Sequence, residues 1–176
     1  EKTERVPLSI KAAGDFTQKI GYLKSGATVY LDGPHGAFTI DRHGNIYSTN
    51  SISFPNQSDK VTLLKAAPDG KVIILAGGAS GYRDGRGGEV QFSGIDGMAW
   101  ATDGSLYITD GVYVRRVSMD GVVTTFGKGE LTTPSYGEDL MGLVVSPGGS
   151  VYVADYSQRR VFELMADGNP RTVLET

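Results

Sequence analysis

The chain has 176 residues, 39% of them hydrophobic and 21% charged, and its formal net charge is -3. Because lysine and arginine are not in excess, the chain offers no basic surface for a phosphate backbone, and nucleic acid is not expected as a partner. No run reaches the roughly 18 apolar residues of a membrane-spanning helix, so membrane insertion is not expected. The absence of cysteine excludes disulfides and thiolate metal sites, whereas 25 glycines favour short strands joined by tight turns.

The first 32 residues do not share the pattern that governs the rest of the chain. Three short runs in this region, at 8–11, 19–23 and 28–31, are predicted as strands of an incomplete unit. The chain begins at Glu1 rather than at a methionine, so we expect that a cleaved signal peptide, a longer chain or trimming precedes this residue.

Residues 37–50 contain the first copy of a strand, turn and strand pattern. A short apolar run at 38–40 is followed by a turn at 43–44, whose glycine accepts the positive φ that a tight hairpin requires. An alternating strand is predicted next, at 46–48.

A second hairpin completes this first unit. Its strands are predicted at 61–65 and 72–76, around a proline, aspartate and glycine turn at 68–70. Between the two hairpins, residues 51–59 include Pro55 and several polar side chains, and we expect an exposed loop there.

The same order of elements recurs twice more along the chain. The segment GMAWATDGSLYITD at 97–110 aligns with GLVVSPGGSVYVAD at 142–155, and each is followed by a second hairpin. The strands of these hairpins are predicted at 114–118, 122–126, 161–165 and 171–174. The tyrosine of the second strand lies on the same face in every copy, at Tyr47, Tyr107 and Tyr152. Four short strands per unit, repeating about every 45 residues, are typical of a β-propeller blade and predict an all-β fold.

Two segments carry a resemblance to a known family. The run AGGASGYRDGRGGEVQFSGIDGMAWATDGSLYITDG at 76–111 and the run VYVADYSQRRVFEL at 151–164 resemble bacterial NHL repeats, with Gln158 where asparagine is usual. The resemblance implies a propeller of four-stranded NHL-type blades belonging to a six-bladed ring. The predicted division is a partial blade or N-terminal strands at 1–32 and three complete blades at about 33–78, 79–127 and 128–176.

Three blades and a remnant leave blade faces uncovered. An uncovered face exposes apolar side chains and unpaired strand edges, so something must pack on it. The candidates are further blades of a longer chain, a second copy of this chain that closes a ring across a two-fold axis, a segment of a different protein, or closure into a tight four-bladed ring.

Candidate ligand-binding residues lie on loops that enter the first strand of each blade or leave the second strand. In a propeller these loops share the face at the channel mouth, and the residues predicted there are Asp32, His35, Asp96, Glu138, Asp139 and Tyr156. Asp32, Asp96 and Asp139 are candidate metal ligands, since converging carboxylates bind Ca²⁺ through oxygen. The alternative is that these carboxylates are ordinary solvated turn residues.

His35 is the candidate catalytic residue, because an imidazole at a channel mouth can act as a general base or a metal ligand. It resembles the proline and histidine placement of propeller lyases, and the alternative is an exposed loop histidine. The other histidine, His43, is predicted at the opposite face.

Several other conspicuous residues are predicted to be structural. Asp110 and Asp155 are expected to tie their loops to backbone amides or to the arginines at 115–116 and 159–160. Trp100 and Phe92 fit core positions. The glycine-rich stretch at 81–88 lacks the ending of a phosphate-binding loop and is predicted to link two blades.

The favoured functional hypothesis is a non-catalytic scaffold that binds a protein, peptide or glycan, in a secreted or periplasmic protein. The alternative is a metal-assisted lyase or a lactonase-like hydrolase with its site around His35.

Overall fold

The computed structural model describes residues 18–22, 28–31, 37–54, 57–127, 129, 131, 140–165 and 167–175. Regular structure in this part is antiparallel β-sheet, apart from one turn of 3₁₀ helix at Gly87–Glu89. Within these ranges no helix has the length and apolar character needed to span a membrane.

A two-stranded sheet comes first along the chain. Its strands are β1 (Gln18–Tyr22) and β2 (Thr28–Leu31), which pair antiparallel. They confirm the strands predicted at 19–23 and 28–31, whereas the strand predicted at 8–11 lies outside the described residues.

The first complete blade is a four-stranded meander. Its strands in order are β3 (Phe38–Ile40), β4 (Ile46–Phe54), β5 (Gln57–Ala66) and β6 (Val72–Ala79). Two hairpin turns of this blade contain Gly44 and Gly70, with φ of 79° and 88°. Both values lie in the left-handed region that glycine adopts without steric cost, as the dipeptide pattern predicted.

The prediction of an exposed loop at 51–59 is wrong for residues 51–54 and 57–59, whereas residues 55–56 lie outside the described residues. Residues up to Phe54 continue β4 and residues from Gln57 continue β5, with Ser51 paired to Val61 and Ile52 to Lys60. The hairpin is therefore lengthened rather than interrupted. The alternating segment 51–54 has a β-branched and an aromatic member, Ile52 and Phe54, which favour a strand.

The second blade has five strands because the linker contributes one. The strands are β7 (Gly85–Arg86), β8 (Ile95–Trp100), β9 (Leu106–Asp110), β10 (Tyr113–Val117) and β11 (Val122–Thr125). β7 pairs with β11 at the outer edge, and the spatial order is β7-β11-β10-β9-β8. The predicted linker at 81–88 therefore also protects an edge strand.

The third blade returns to four strands. They are β12 (Leu140–Val145), β13 (Val151–Asp155), β14 (Arg160–Leu164) and β15 (Pro170–Glu175), paired in that order. Bulges interrupt β12 against β13 and β14 against β15. The three blades establish an all-β partial propeller. The predicted domain boundaries and the six-bladed ring stay predictions.

Neighbouring blades pack face to face through two apolar clusters. In the first, the ring of Tyr47 stacks on Trp100 with centroids 5.0 Å apart. In the second, Tyr107 of the second blade packs with Leu143 and Phe162 of the third. Phe92 is completely buried, as predicted for a core position. Burial of such aromatic rings supplies much of the free energy that holds blades together.

The first strands of adjacent blades approach so closely that only glycine fits between them. A Cβ atom on Gly97 of β8 would lie 2.3 Å from the carbonyl oxygen of Met141 in β12. The hydroxyl of Thr109 donates a hydrogen bond to that same oxygen at 2.8 Å. Backbone contact thus fixes the position of the third blade against the second.

Candidate functional site

The second and third blades share an edge at which β9 and β13 end and β8 and β12 begin; we call it the channel-mouth edge. Ile95 pairs with Asp110 there, and Leu140 pairs with Asp155. The amide of Leu140 donates to the carbonyl of Gly111, which links the corner of the second blade to the third. The loops of both blades are therefore held together at this edge.

Asp110 organises the corner of the second blade. Its Oδ1 accepts hydrogen bonds from the amides of Ser93 and Gly94 at 2.7 and 3.1 Å, and from the Ser93 hydroxyl at 2.8 Å. Its Oδ2 accepts a hydrogen bond from Arg115 Nη1 at 2.6 Å. Burial raises the pKa of the Asp110 carboxyl, while the hydrogen bonds from Gly94 and Ser93 and the Arg115 guanidinium oppose that rise.

Arg115 extends this corner to the linker. Its Nη2 donates to Asp84 at 2.7 Å, and Asp84 in turn accepts a hydrogen bond from the Thr125 amide at 2.9 Å. The guanidinium lies 4.6 Å from the centre of the Tyr82 ring, a cation–π contact. Among the buried side-chain nitrogen and oxygen atoms that the structure describes, only Nε of Arg115 lacks a hydrogen-bond partner. These contacts are internal to the blade.

Asp155 repeats the arrangement in the third blade. Its Oδ1 accepts hydrogen bonds from the Ser157 hydroxyl at 2.9 Å and the Gln158 amide at 3.1 Å. Its Oδ2 accepts one from Arg160 Nε at 3.0 Å, and Arg160 Nη2 donates to the carbonyl of Leu131. The structural role predicted for both aspartates is confirmed, with Arg115 and Arg160 as the partners.

Tyr156 stands exposed on the turn that Asp155 stabilises. The side chain is 62% exposed, and the turn closes through a hydrogen bond from the Arg159 amide to the Tyr156 carbonyl at 3.2 Å. Arg159 has φ of 50°, a left-handed conformation that a residue other than glycine adopts only when its surroundings hold it there. An aromatic ring is thus presented on a constrained corner.

The other predicted site residues divide into two groups. Asp96 is half-buried in β8 at the channel-mouth edge, within the bulge between Ile95 and Met98. Asp32, His35, Glu138 and Asp139 lie outside the described residues. Asp96 and Tyr156 are therefore placed at one edge, and the rest of the predicted cluster stays a prediction.

No metal cluster is seen within the described ranges. In them, no three or more histidine, aspartate and glutamate side chains come close enough together to hold an ion. Two of the candidate metal ligands, Asp32 and Asp139, are outside those ranges, so the proposed Ca²⁺ site stays a prediction.

A separate cleft opens on the opposite edge, where the hairpin turns lie. Its volume is about 210 Å³, and its lining includes Arg42, His43, Trp100 and Met119. His43 is thus at the edge away from Tyr156, as predicted. The sequence analysis missed the cleft because it predicted Trp100 as a core residue, whereas Trp100 is only partly buried and lines the cleft.

The carboxylate of Asp41, at the first hairpin turn on that edge, accepts hydrogen bonds from residues of its own hairpin. Asp41 accepts hydrogen bonds from the His43 and Asn45 amides and from the Tyr47 hydroxyl. Burial alone would raise the pKa of Asp41, but these bonds and that from the Asn45 side chain outweigh it and lower the pKa. Burial and the nearby Asp41 charge raise the pKa of Tyr47.

Solved structures similar to this chain are β-propellers. A gluconolactonase from Xanthomonas campestris aligns with a TM-score of 0.57 and 16% identity, over 91% of this chain and 55% of that one. A streptogramin B lyase aligns with a TM-score of 0.54 and 13% identity, over 94% of this chain and 53% of that one. Regucalcin, a calcium-binding protein from Agrobacterium tumefaciens, aligns with a TM-score of 0.56 and 15% identity, over 92% of this chain and 57% of that one.

The chain spans about half the length of these structures. At such low identity the likeness establishes the propeller fold alone. No protein-family model and no curated protein matches the sequence, and membership of the NHL repeats specifically stays a prediction.

Proposed function

We propose that this chain is a propeller segment that binds a protein segment, a peptide or a glycan at its channel-mouth edge and performs no catalysis of its own. The observation that carries the proposal is the presentation of Tyr156. Its ring is exposed while the turn beneath it is constrained by the buried carboxylate of Asp155.

A constrained tyrosine suits recognition for two physical reasons. The ring offers a large apolar surface with a polar hydroxyl, and its two side-chain torsions cost little entropy when they are fixed by a ligand. Because the turn is already ordered by Asp155, binding need not order the backbone as well. Asp96 is half-buried at the same edge of the second blade.

The proposal is tested by screening the whole chain against a displayed peptide library and a glycan array. The best binder is then titrated against the wild type, Tyr156→Ala and Met119→Ala. Met119 is the matched control because its side chain is 48% exposed and lies at the opposite edge. We expect a loss of at least about tenfold in affinity for Tyr156→Ala and no change for Met119→Ala, since an aromatic anchor contributes about 1.4 kcal/mol or more. Absence of any binder, or equal effects of the two variants, would overturn the proposal.

A second candidate function is a metal-assisted lyase or lactonase-like hydrolase around His35. It is supported by the fold shared with a gluconolactonase and a streptogramin B lyase, and by the calcium-binding regucalcin among the similar structures. In this hypothesis Asp32, Asp96 and Asp139 bind the cation and His35 moves a proton.

The two candidates are separated by metal analysis and an activity assay. The scaffold predicts that the purified chain holds no stoichiometric Ca²⁺ or Zn²⁺ and that it does not hydrolyse gluconolactone. Stoichiometric metal that is lost in Asp96→Asn, together with turnover that is lost in His35→Ala, would favour the enzyme.

A further inference from the structure

The cleft at the hairpin-turn edge, which we call the Trp100 cleft, is formed by three hairpins of two blades. The β3–β4 turn of the first blade contributes Arg42 and His43. The β8–β9 and β10–β11 hairpins of the second blade contribute the other lining residues, which are Trp100, Ala101, Thr102, Gly104 and Met119. The cleft therefore lies between two blades and away from the channel-mouth edge.

The turns around the cleft are held by their own hydrogen bonds. The Asp41 carboxylate accepts a hydrogen bond from the His43 amide at 2.8 Å, and the Gly104 amide donates to the carbonyl of Ala101 at 3.1 Å. The turn that carries Met119 is closed by backbone hydrogen bonds of the same kind. A ligand thus meets a preformed site and need not order these turns.

Arg42 is the cation that lines the cleft. Its Nε donates a hydrogen bond to Nε2 of His43 at 3.2 Å, and both residues are exposed. Among the described residues no carboxylate forms an ion pair with Arg42, so its two terminal nitrogens are free to bind a ligand. A guanidinium in this state binds a carboxylate through two parallel hydrogen bonds.

The aspartates of the surrounding turns are engaged elsewhere. Asp103 and Asp120 pair with arginines of their own blade at 3.0 and 2.7 Å. The buried carboxylate of Asp41 accepts four hydrogen bonds from its own hairpin, whereas Arg42 is exposed. The positive charge of Arg42 is therefore left for a ligand, and it favours an anion.

Trp100 and Met119 give the cleft an apolar wall. Tyr47 stacks on the indole with ring centroids 5.0 Å apart, so the Trp100 surface that lines the cleft is backed by a buried ring. Met119 is 48% exposed, and its Sδ lies 4.0 Å from the position that a Cβ on Gly104 would take. Because aromatic rings stack on indole and contact thioether sulfur, this wall favours a ligand with an aromatic ring.

The repeats show that the fold itself does not require these side chains. The strand registers place Trp100 at the position that Val145 has in the third blade. Arg42 likewise has the position of Thr102 in the second blade and of Pro147 in the third. The same turns form without a cation or an indole, so turn formation does not explain why Arg42 and Trp100 meet at one cleft.

We propose that the Trp100 cleft binds a small free aromatic carboxylate, with its carboxylate on Arg42 and its ring against Trp100 and Met119. The cleft has a volume of about 210 Å³, below the range of about 300–1,000 Å³ that is typical of pockets for drug-sized ligands. An acid with a single ring therefore fits better than a peptide. The proposal is independent of the proposed function, because Tyr156 lies at the other edge.

The chain has a single tryptophan, so the fluorescence and the indole N–H signal of Trp100 report directly on the cleft. The whole chain is titrated with phenylpropionate, phenylpropanamide, phenylpropylamine and cyclohexylpropionate. We expect a saturable change with phenylpropionate at a Kd below about 10 mM, as befits so small a ligand. The amide and the amine lack the negative charge and should bind at least about tenfold more weakly. Cyclohexylpropionate keeps the charge without the aromatic ring and should lie between them.

Two arginine variants separate the site from a general effect of charge. Arg42→Gln should weaken phenylpropionate binding at least about tenfold and leave the weaker binding of the amide unchanged. Arg83→Gln removes an exposed arginine of the linker between the same two blades and should bind phenylpropionate as the wild type does. Tyr156→Ala should also bind it normally. Circular dichroism checks that each variant is folded.

Several results would overturn the proposal. They are the absence of a saturable change at Trp100, equal affinity for the acid and the amide, and equal losses in Arg42→Gln and Arg83→Gln. Tighter binding of a tripeptide that ends in phenylalanine would assign the cleft to a peptide terminus instead of a small acid. Failure of peptide and glycan binding at the channel mouth, with phenylpropionate binding intact, would count against the proposed function alone.

Discussion

Arg115 and Asp110 form an ion pair in which Nη1 lies 2.6 Å from Oδ2 and both side chains are completely buried. Breaking a buried pair leaves the other charge uncompensated, which costs about 3–5 kcal/mol, whereas an exposed pair contributes about 1 kcal/mol or less.

We therefore predict that Arg115→Met lowers the free energy of unfolding by about 3–5 kcal/mol at neutral pH. The control is Arg116→Met on the same strand, whose partner Asp103 is half exposed, and its loss should stay within about 1 kcal/mol. Urea denaturation measures both. Equal losses in the two variants would mean that the buried corner is not what stabilises the second blade.

A second prediction concerns the close approach of β8 and β12. Gly97→Ala would place a Cβ against the Met141 carbonyl, so the blades must separate, and overpacking of this kind costs about 1–3 kcal/mol. Gly94→Ala is the control, because nothing lies within 4 Å of a Cβ there. Thermal unfolding should distinguish them. A Gly97→Ala protein as stable as Gly94→Ala would contradict the packing of the two first strands.

A third prediction is a pH dependence. The lowered pKa of Asp41 means that the carboxylate stabilises the fold above its unfolded pKa, near 3.8, and that this contribution is lost as the pH falls through the folded value. Asp41→Asn should therefore lose less stability than the wild type between about pH 5 and about pH 2, as should Asn45→Ala, which removes a hydrogen-bond donor. The raised pKa of Asp110 is common to all three proteins and cancels in the comparison. Urea denaturation midpoints that fall equally with pH in the wild type and in both variants would argue against the role of Asp41.

A fourth prediction addresses the turn beneath Tyr156. Asp155→Ala removes the acceptor for the Gln158 amide and for Arg160 Nε, so the turn should open more often. Hydrogen bonds to a charged group contribute about 1.5–3 kcal/mol, which corresponds to amide exchange at 157–159 faster by about tenfold or more. Exchange in β9 should not change, and it provides the internal control. Unaltered exchange at 157–159 would show that the turn is ordered by something other than Asp155.

Much of the fold was predictable from local chemistry. Glycine turns such as those at Gly104 and Gly149 require positive φ, and alternation around Tyr107 and Tyr152 assigns one face of each strand to an interface. The roles of Asp110 and Asp155 were predictable as well, because a carboxylate five residues before an arginine can pair with it across a tight corner.

Other features depended on contacts that sequence does not display. The strand Gly85–Arg86 exists because β11 offers an unpaired edge, and nothing local distinguishes it from a loop. The strand residues at 51–54 and 57–59 were obscured in the sequence by Pro55 and its polar neighbours, a composition that favours a loop. The cleft beside Trp100 is lined by Arg42 and His43 of the first blade and by Met119 of the second, residues far apart in the sequence.

The most direct test of the proposed binding role is amide hydrogen exchange of the whole chain with and without the strongest library binder. The account predicts slower exchange at 156–159 and in the segment entering β8, near Asp96. Protection confined to the opposite edge, at 101–105 and 118–121, would contradict binding at the channel mouth.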